Sequence, residues 1–259
     1  MTKAILEARN LGKSFGGVRA VDRFEIELKK SELVGLIGPN GAGKSTVFNL
    51  LSGAIKPTDG TIHLFGKDIT GKKMVDFAQA GIARTFQNIR LLEEQTVFEN
   101  VLAATHKSAN RNFFANLFHT KTWRREEMVL QERVELLLET FSLLDKRNEL
   151  ANNLSYGDQR RVEIVRALAT DPEVLFLDEP AAGMNPAEGK ELVQLIEQVQ
   201  KDYNITVVLI EHDMDVVMDL CERILVLDYG KLIFSGTPQE VMASDAVRSA
   251  YLGDDLINA

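Results

Sequence analysis

The sequence has 259 residues, 45% hydrophobic and 26% charged, with a formal net charge of −8. That length and balance exclude a disordered chain and allow one domain with a lobe inserted into it. The acidic balance argues against nucleic acid as the main partner.

The single cysteine, Cys221, cannot form an internal disulfide and reads as a small buried hydrophobe in a reducing compartment. The opening MTKAILEARN has no apolar signal core. No apolar stretch approaches the ~20 residues needed to span a bilayer. The expectation is a cytosolic chain that reaches a membrane only through partners.

In chain order, Phe24-Glu25-Ile26-Glu27-Leu28-Lys29 alternates apolar and polar residues, the pattern of a half-buried antiparallel strand. Leu33–Ile37 is almost continuously apolar, and so are Val174–Leu177 and Thr206–Ile210. Such strands, separated by helical stretches, predict a parallel sheet covered on both faces. Between them, residues 88–165 read mostly as helix. Leu130, Val134, Leu137, Leu138 and Phe141 share one helix face. Before them, His106–Arg125 mixes Asn, Lys and Arg with Phe113, Phe114, Phe118 and Trp123. Leu192, Leu195, Ile196 and Val199 mark a later amphipathic helix. Arg223–Asp228, Tyr229-Gly230 and Leu232–Ser235 read as a hairpin, and Thr237-Pro238-Gln239-Glu240 as a capped helix start.

Gly38-Pro39-Asn40-Gly41-Ala42-Gly43-Lys44-Ser45 fits G-x-x-x-x-G-K-[ST] between an apolar strand and a helix, Lys44–Ser52, stopped by Gly53. Phosphate oxygens need many donors at close range. Glycines let the backbone curl so that successive N–H groups point inward, and the helix N-terminus favours anions. Lys44 adds a charge near the β and γ phosphates, and Ser45 offers a hydroxyl to Mg²⁺. Asp178 and Glu179 end the apolar strand Val174–Leu177, at the carboxyl-end crevice where α/β sheets bind ligands. Asp178 can hold Mg²⁺ through water, and Glu179 can act as general base on the attacking water. Ser155 is placed to cap the helix Asp158–Ala169, with Gly157 leaving backbone bare for an anion. His63, His106 and His119 have no companions at metal-ligand spacing.

With these motifs the chain resembles an ABC-type ATPase over nearly its whole length. Leu154-Ser155-Tyr156-Gly157-Asp158-Gln159 is similar to that family's LSGGQ signature, departing at Tyr156, where glycine is usual, and at Asp158, where the family varies. The resemblance implies an α/β fold: a P-loop nucleotide-binding core (1–87 and 166–259) with an N-terminal antiparallel β subdomain and an inserted α-helical subdomain (88–165), together one ABC ATPase domain. It implies that ATP is held in cis by Phe15, stacked on adenine, and by Gly38, Pro39, Asn40, Gly41, Ala42, Gly43, Lys44, Ser45 and Thr46. It implies Mg²⁺ at Ser45, Gln87 and Asp178, and catalysis by Glu179, Lys44 and His212, the last against the γ-phosphate. Ser155, Gly157, Asp158 and Gln159 would act in trans, on ATP held by a second ATPase subunit, identical or paralogous. Asn185, in Ala182-Gly183-Met184-Asn185-Pro186, stands where many relatives carry aspartate in a loop that reaches across the dimer.

Within that family, GPNGAGKSTVFN, RTFQNIRLL, LSYGDQRRVEI, LDEPAAGMNP, IEHDMDVVM and the tail Ala250-Tyr251-Leu252-Gly253 resemble an ATPase subunit of branched-chain amino-acid importers. That resemblance implies two permease subunits, a periplasmic binding protein, uptake of leucine, isoleucine and valine, and a place on the cytoplasmic face of the inner membrane. The lipopolysaccharide-export ATPase is similar in the P-loop region and tail, and urea or amide importers belong to the same broad group. A soluble ABC ATPase acting on DNA or ribosomes fits less well, because the chain has one P-loop, no sustained heptads and an acidic balance. Intact Glu179 and His212 argue against an inactive nucleotide-binding module.

Overall fold

The computed structural model describes residues 4–105, 121–211 and 214–255. The chain opens with a long hairpin, β1 (Ala4–Phe15) and β2 (Val18–Lys29). Residues 24–29 alternate buried and exposed, as the sequence pattern requires. β4 (Asp59–Leu64) pairs on the other edge of β1, and β5 (Lys67–Asp68) on β4, giving an antiparallel sheet in the order β2-β1-β4-β5.

The second sheet runs β10-β9-β3-β8-β7-β6. Its strands are β3 (Leu33–Ile37), β6 (Ile82–Arg84), β7 (Val174–Asp178), β8 (Thr206–Ile210), β9 (Arg223–Asp228) and β10 (Lys231–Gly236). All neighbours pair in parallel except β9 and β10, which form the expected hairpin. Period-two geometry sends alternate side chains to two separate cores. Val34, Leu36, Phe176, Val208 and Ile210 join the antiparallel sheet and α1 (Lys44–Leu51), where Phe48 meets Phe176 edge-on at 5.1 Å. Leu33, Ile37, Leu175, Leu177, Val207 and Leu209 face the helices on the other side. This double burial is why β3, β7 and β8 read as apolar runs rather than alternating strands.

α2 (Met74–Ala80) precedes β6. Between β6 and β7 the described chain is helical: α3 (Val97–Thr105), α4 (Lys121–Thr140), a 3₁₀ turn (Ala151–Asn153) and α5 (Tyr156–Leu168). Val134, Leu137, Leu138 and Phe141 are buried on one face, and Leu130 is half-buried at its end. Phe113, Phe114 and Phe118 lie outside the described residues. α6 (Pro186–Tyr203) buries Leu192, Ile196 and Val199, and Leu195 packs at the margin. α7 (Met214–Leu220), α8 (Pro238–Ala243) and α9 (Asp245–Asp255) complete the chain, α8 beginning with the expected Thr237–Glu240 capping box. Among the described residues no helix is long and apolar enough to cross a membrane. Cys221 is buried, and burial pushes its thiol pKa up to about 12.

Candidate active site

The loop between β3 and α1 needs glycine for steric as well as conformational reasons. Gly38 has φ 151°, and a Cβ there would stand 2.2 Å from the Leu227 carbonyl oxygen. Gly43, the N-cap of α1, has φ 99°, and its Cβ would meet the Ala20 carbonyl oxygen at 2.7 Å. The loop is braced from behind by the β9–β10 turn. Gly230 N–H donates to the Ala42 oxygen at 2.8 Å, and Asp22 N–H donates to the Gly230 oxygen at 2.8 Å. Asn40 to Thr46, with Ala20, line an open cavity of about 280 Å³.

Lys44 is only 6% exposed. Its Nζ donates to the Gly38 oxygen at 2.7 Å and the Pro39 oxygen at 3.0 Å. Burial lowers its pKa, and the nearby Glu179 carboxylate opposes that shift. Ser45 is exposed on the first turn of α1.

Asp178 ends β7, in register with Ile210 of β8. Its N–H donates to Thr85 Oγ1 at 3.2 Å, and Arg84 Nη2 reaches its carboxylate at 3.4 Å. Arg84 is itself anchored, donating to Asn49 Oδ1 at 2.7 Å and Ser52 Oγ at 2.9 Å. Glu179 follows in the left-handed region, φ 47°, with its N–H donating to the Ile210 oxygen at 2.9 Å. For a non-glycine residue that conformation costs on the order of 1–3 kcal/mol, a strain that concentrates at functional turns. Gln87 Nε2 donates to Glu179 Oε2 at 3.3 Å. Thus Lys44, Asp178, Glu179 and Gln87 converge beyond the carboxyl ends of β3, β6 and β7. His212 lies outside the described residues.

The signature segment is a helix cap. Ser155 accepts from Asp158 N–H at 3.2 Å and donates to Asp158 Oδ2 at 2.8 Å. Lys146 Nζ donates to the same oxygen at 2.6 Å. Burial raises the Asp158 pKa, but these two hydrogen bonds, together with the Lys146 and Arg161 charges, overcome it and hold the carboxyl below its usual range. Gln159 Nε2 donates to the Ala151 and Leu154 oxygens at 3.1 and 3.3 Å. A Cβ on Gly157 would meet nothing nearer than Glu188 at 3.8 Å, so packing does not require this glycine. Asn185 is the N-cap of α6, reciprocally bonded with Glu188. The loop before it is tied to β8 through Ala181 N–H and Glu211 Oε1 at 3.1 Å. Phe15 stands 51% exposed at the end of β1, paired with the exposed Val18, and Lys13 Nζ lies 5.2 Å from its ring centre.

Two groups central to this geometry escape a reading by motif, Arg84 and the buried pair Arg160–Glu163. Arg84 precedes Gln87 in the same segment, whereas Arg160 and Glu163 lie on α5 and bond the Phe86 and Gln87 backbone. A detectable signal existed for the pair: Arg160, Glu163, Ile164 and Ala167 stand at i, i+3, i+4 and i+7 and are all buried.

The family model described as ABC transporter matches residues 21–182. The chain belongs to the ABC transporter family. A second model, described as branched-chain amino acid ATP-binding cassette transporter, matches residues 231–256 of this ABC ATPase. The chain is 46% identical over 254 residues to the high-affinity branched-chain amino acid transport ATP-binding protein LivG of Salmonella typhimurium, covering 98% of this chain and 100% of LivG. It is 34% identical to the lipopolysaccharide export system ATP-binding protein LptB of Haemophilus influenzae, over 97% of this chain and 98% of LptB. Its fold matches the ADP conformation of MJ1267, an ATP-binding cassette of an ABC transporter, with a TM-score of 0.83, 33% identity, and 97% and 100% of the two chains covered.

Proposed function

We propose that this ABC ATPase powers an importer of branched-chain amino acids from the cytoplasmic face of the inner membrane. The observation that carries the transported class is the match of residues 231–256 to the branched-chain model, on a chain 46% identical to LivG. The test is uptake of labelled leucine by cells lacking the chain. Wild type is expected to restore uptake and Glu179→Gln to leave it abolished. Uptake that never depended on the chain overturns the branched-chain assignment, and lipopolysaccharide export becomes the next assay.

ATP enters with its adenine against Phe15 and its phosphates in the cavity of residues 40–46. Lys44 exchanges the Gly38 and Pro39 oxygens for phosphate oxygens. Ser45, Asp178 and Gln87 offer a set of oxygen donors that suits Mg²⁺, a hard cation completed by substrate phosphates and water. When bound, that ion supplies charge neutralisation on the β and γ phosphates. Glu179, held by Gln87 and by its own strained backbone, takes a proton from the attacking water. Ser155 and Gly157 contribute donors to ATP on the second ATPase subunit, so each site needs both subunits.

Closure of the pair is transmitted to two permease subunits through the segment around Gln87 and the helical lobe, which we take as residues 88–165. Beside that segment Met74, Ala78, Phe86, Ala104 and Arg166 line a groove of about 200 Å³. A periplasmic binding protein delivers substrate to the permeases.

Phe15→Ala is expected to weaken ATP binding by about 5- to 150-fold, since an aromatic–base stack contributes ~1–3 kcal/mol. Titration calorimetry with ATP checks this. An affinity within twofold of wild type removes Phe15 from the adenine site.

A further inference from the structure

Arg160 and Glu163 lie on α5 at 2% and 3% exposure. Neither belongs to the nucleotide motifs. Taking such a pair out of water costs several kcal/mol per ion, and an apolar pair of similar volume often stabilises a fold as well. The partners they keep are therefore informative. Arg160 Nη1 donates to the Phe86 oxygen at 2.7 Å and to Glu163 Oε2 at 3.1 Å. Arg160 Nη2 donates to the Gln87 oxygen. Glu163 Oε1 accepts from Phe86 N–H at 3.3 Å. Arg160 Nε finds no partner among the described residues. The planar fork is thus aimed by two consecutive backbone carbonyls rather than by full satisfaction of the guanidinium.

Three backbone groups of Phe86 and Gln87 are fixed to α5 in this way. The Gln87 side chain leaves that anchored backbone to meet Glu179 Oε2 at 3.3 Å. At the other end, α5 begins at Tyr156, just after Ser155. The Tyr156 ring lies 5.6 Å from Arg160 Cζ, and a Cβ on Gly183 would touch that ring at 3.0 Å. The helix carrying the trans-acting signature therefore contacts both the segment that aims Gln87 and the loop before Asn185.

We propose that Arg160 and Glu163 are positioning residues that fasten the Gln87 backbone to the signature helix, so that engagement of the signature sets the Gln87 amide against the Glu179 carboxylate. The inference rests on the proposed role of Glu179. It also gives Tyr156, in place of the family's glycine, a physical part: its ring packs between the Arg160 guanidinium and the Gly183 loop.

The test is steady-state ATPase of the assembled transporter in vesicles. Arg160→Lys replaces the planar fork by one compact ammonium, which cannot hold the Phe86 and Gln87 oxygens and Glu163 Oε2 in their present geometry from two separate nitrogens. Its kcat is expected to fall ~10- to 100-fold, the scale of an ångström-sized misplacement, with KM for ATP within about twofold. Glu163→Gln keeps an acceptor for Phe86 N–H but removes the buried counter-charge of Arg160, so its kcat is expected to fall in the same direction. In a Gln87→Ala background, Arg160→Lys is expected to add no further loss, because both changes remove one arrangement. Should Arg160→Lys fail to assemble, Arg160→Gln, which donates to one carbonyl, carries the same cycle. A wild-type kcat in the Arg160 variant, or losses that multiply with Gln87→Ala, overturns the proposal. Glu179→Gln in the same assay separates the two readings. If it turns over normally, the general base is wrong; if it is inactive while the cycle is multiplicative, only the fastening role fails.

Discussion

Replacing Glu179 with glutamine is expected to leave ATP bound and to slow its hydrolysis by about 10²–10⁴-fold. The amide keeps the size of the side chain and can still accept from Gln87 Nε2, now 3.3 Å from Glu179 Oε2. It cannot take a proton from water. The residue does not line the phosphate cavity of residues 40–46, so nucleotide affinity has no reason to collapse with turnover. The backbone at φ 47° is held by the hydrogen bond to the Ile210 oxygen, which the substitution does not touch. Single-turnover hydrolysis in the assembled complex, with ATP binding measured separately, checks both halves. Turnover within threefold of wild type would remove Glu179 from the base role. Lost binding with lost turnover would make it a phosphate-site residue instead.

The elements around this carboxylate differ in how far the sequence exposes them, and the differences have physical causes. The P-loop is contiguous, and its glycines answer local demands at Gly38 and Gly43, so eight consecutive residues carry the signal. β3, β7 and β8 are readable because both of their faces are buried, leaving no polar alternation. The position of Asp178 and Glu179 is readable because they close the apolar run that becomes the buried strand β7. Arg160 and Glu163 are harder. Arginine and glutamate on a helix ordinarily mark its solvated face, and only the apolar Ile164 and Ala167 on the same stripe betray the burial. Their partners at Phe86 and Gln87 are backbone atoms, which leave no trace in residue identity. Arg84 is hidden for a different reason: its partners are side chains, but its bonds to Asn49, Ser52 and Asp178 join segments far apart in sequence. The hairpin at Tyr229-Gly230 is readable as a turn, but its bond to Ala42, which braces the phosphate loop, is a matter of topology alone.

Lys44→Ala is expected to fail earlier in the cycle than Glu179→Gln, at binding. Lys44 Nζ now bonds the Gly38 and Pro39 oxygens, and those bonds keep the loop curled around a buried cation. Phosphate oxygens compete for the same donor and bring opposite charge, so the exchange favours nucleotide. A hydrogen bond to a charged group contributes ~1.5–3 kcal/mol, which corresponds to about 10- to 150-fold in ATP affinity. The loop itself is expected to survive, because Gly230 N–H still holds the Ala42 oxygen and Val47 N–H still holds the Gly43 oxygen. Lys44→Arg is not a safe substitute: a rigid fork has to fit where the native side chain is only 6% exposed. Calorimetric titration of ATP into both variants, with thermal unfolding as the control for folding, decides the matter. Wild-type affinity in a folded Lys44→Ala protein would mean that the backbone donors of residues 40–46 hold the phosphates alone. A normal affinity with a lower kcat would move Lys44 from binding to transition-state charge neutralisation, the other place where its charge can act.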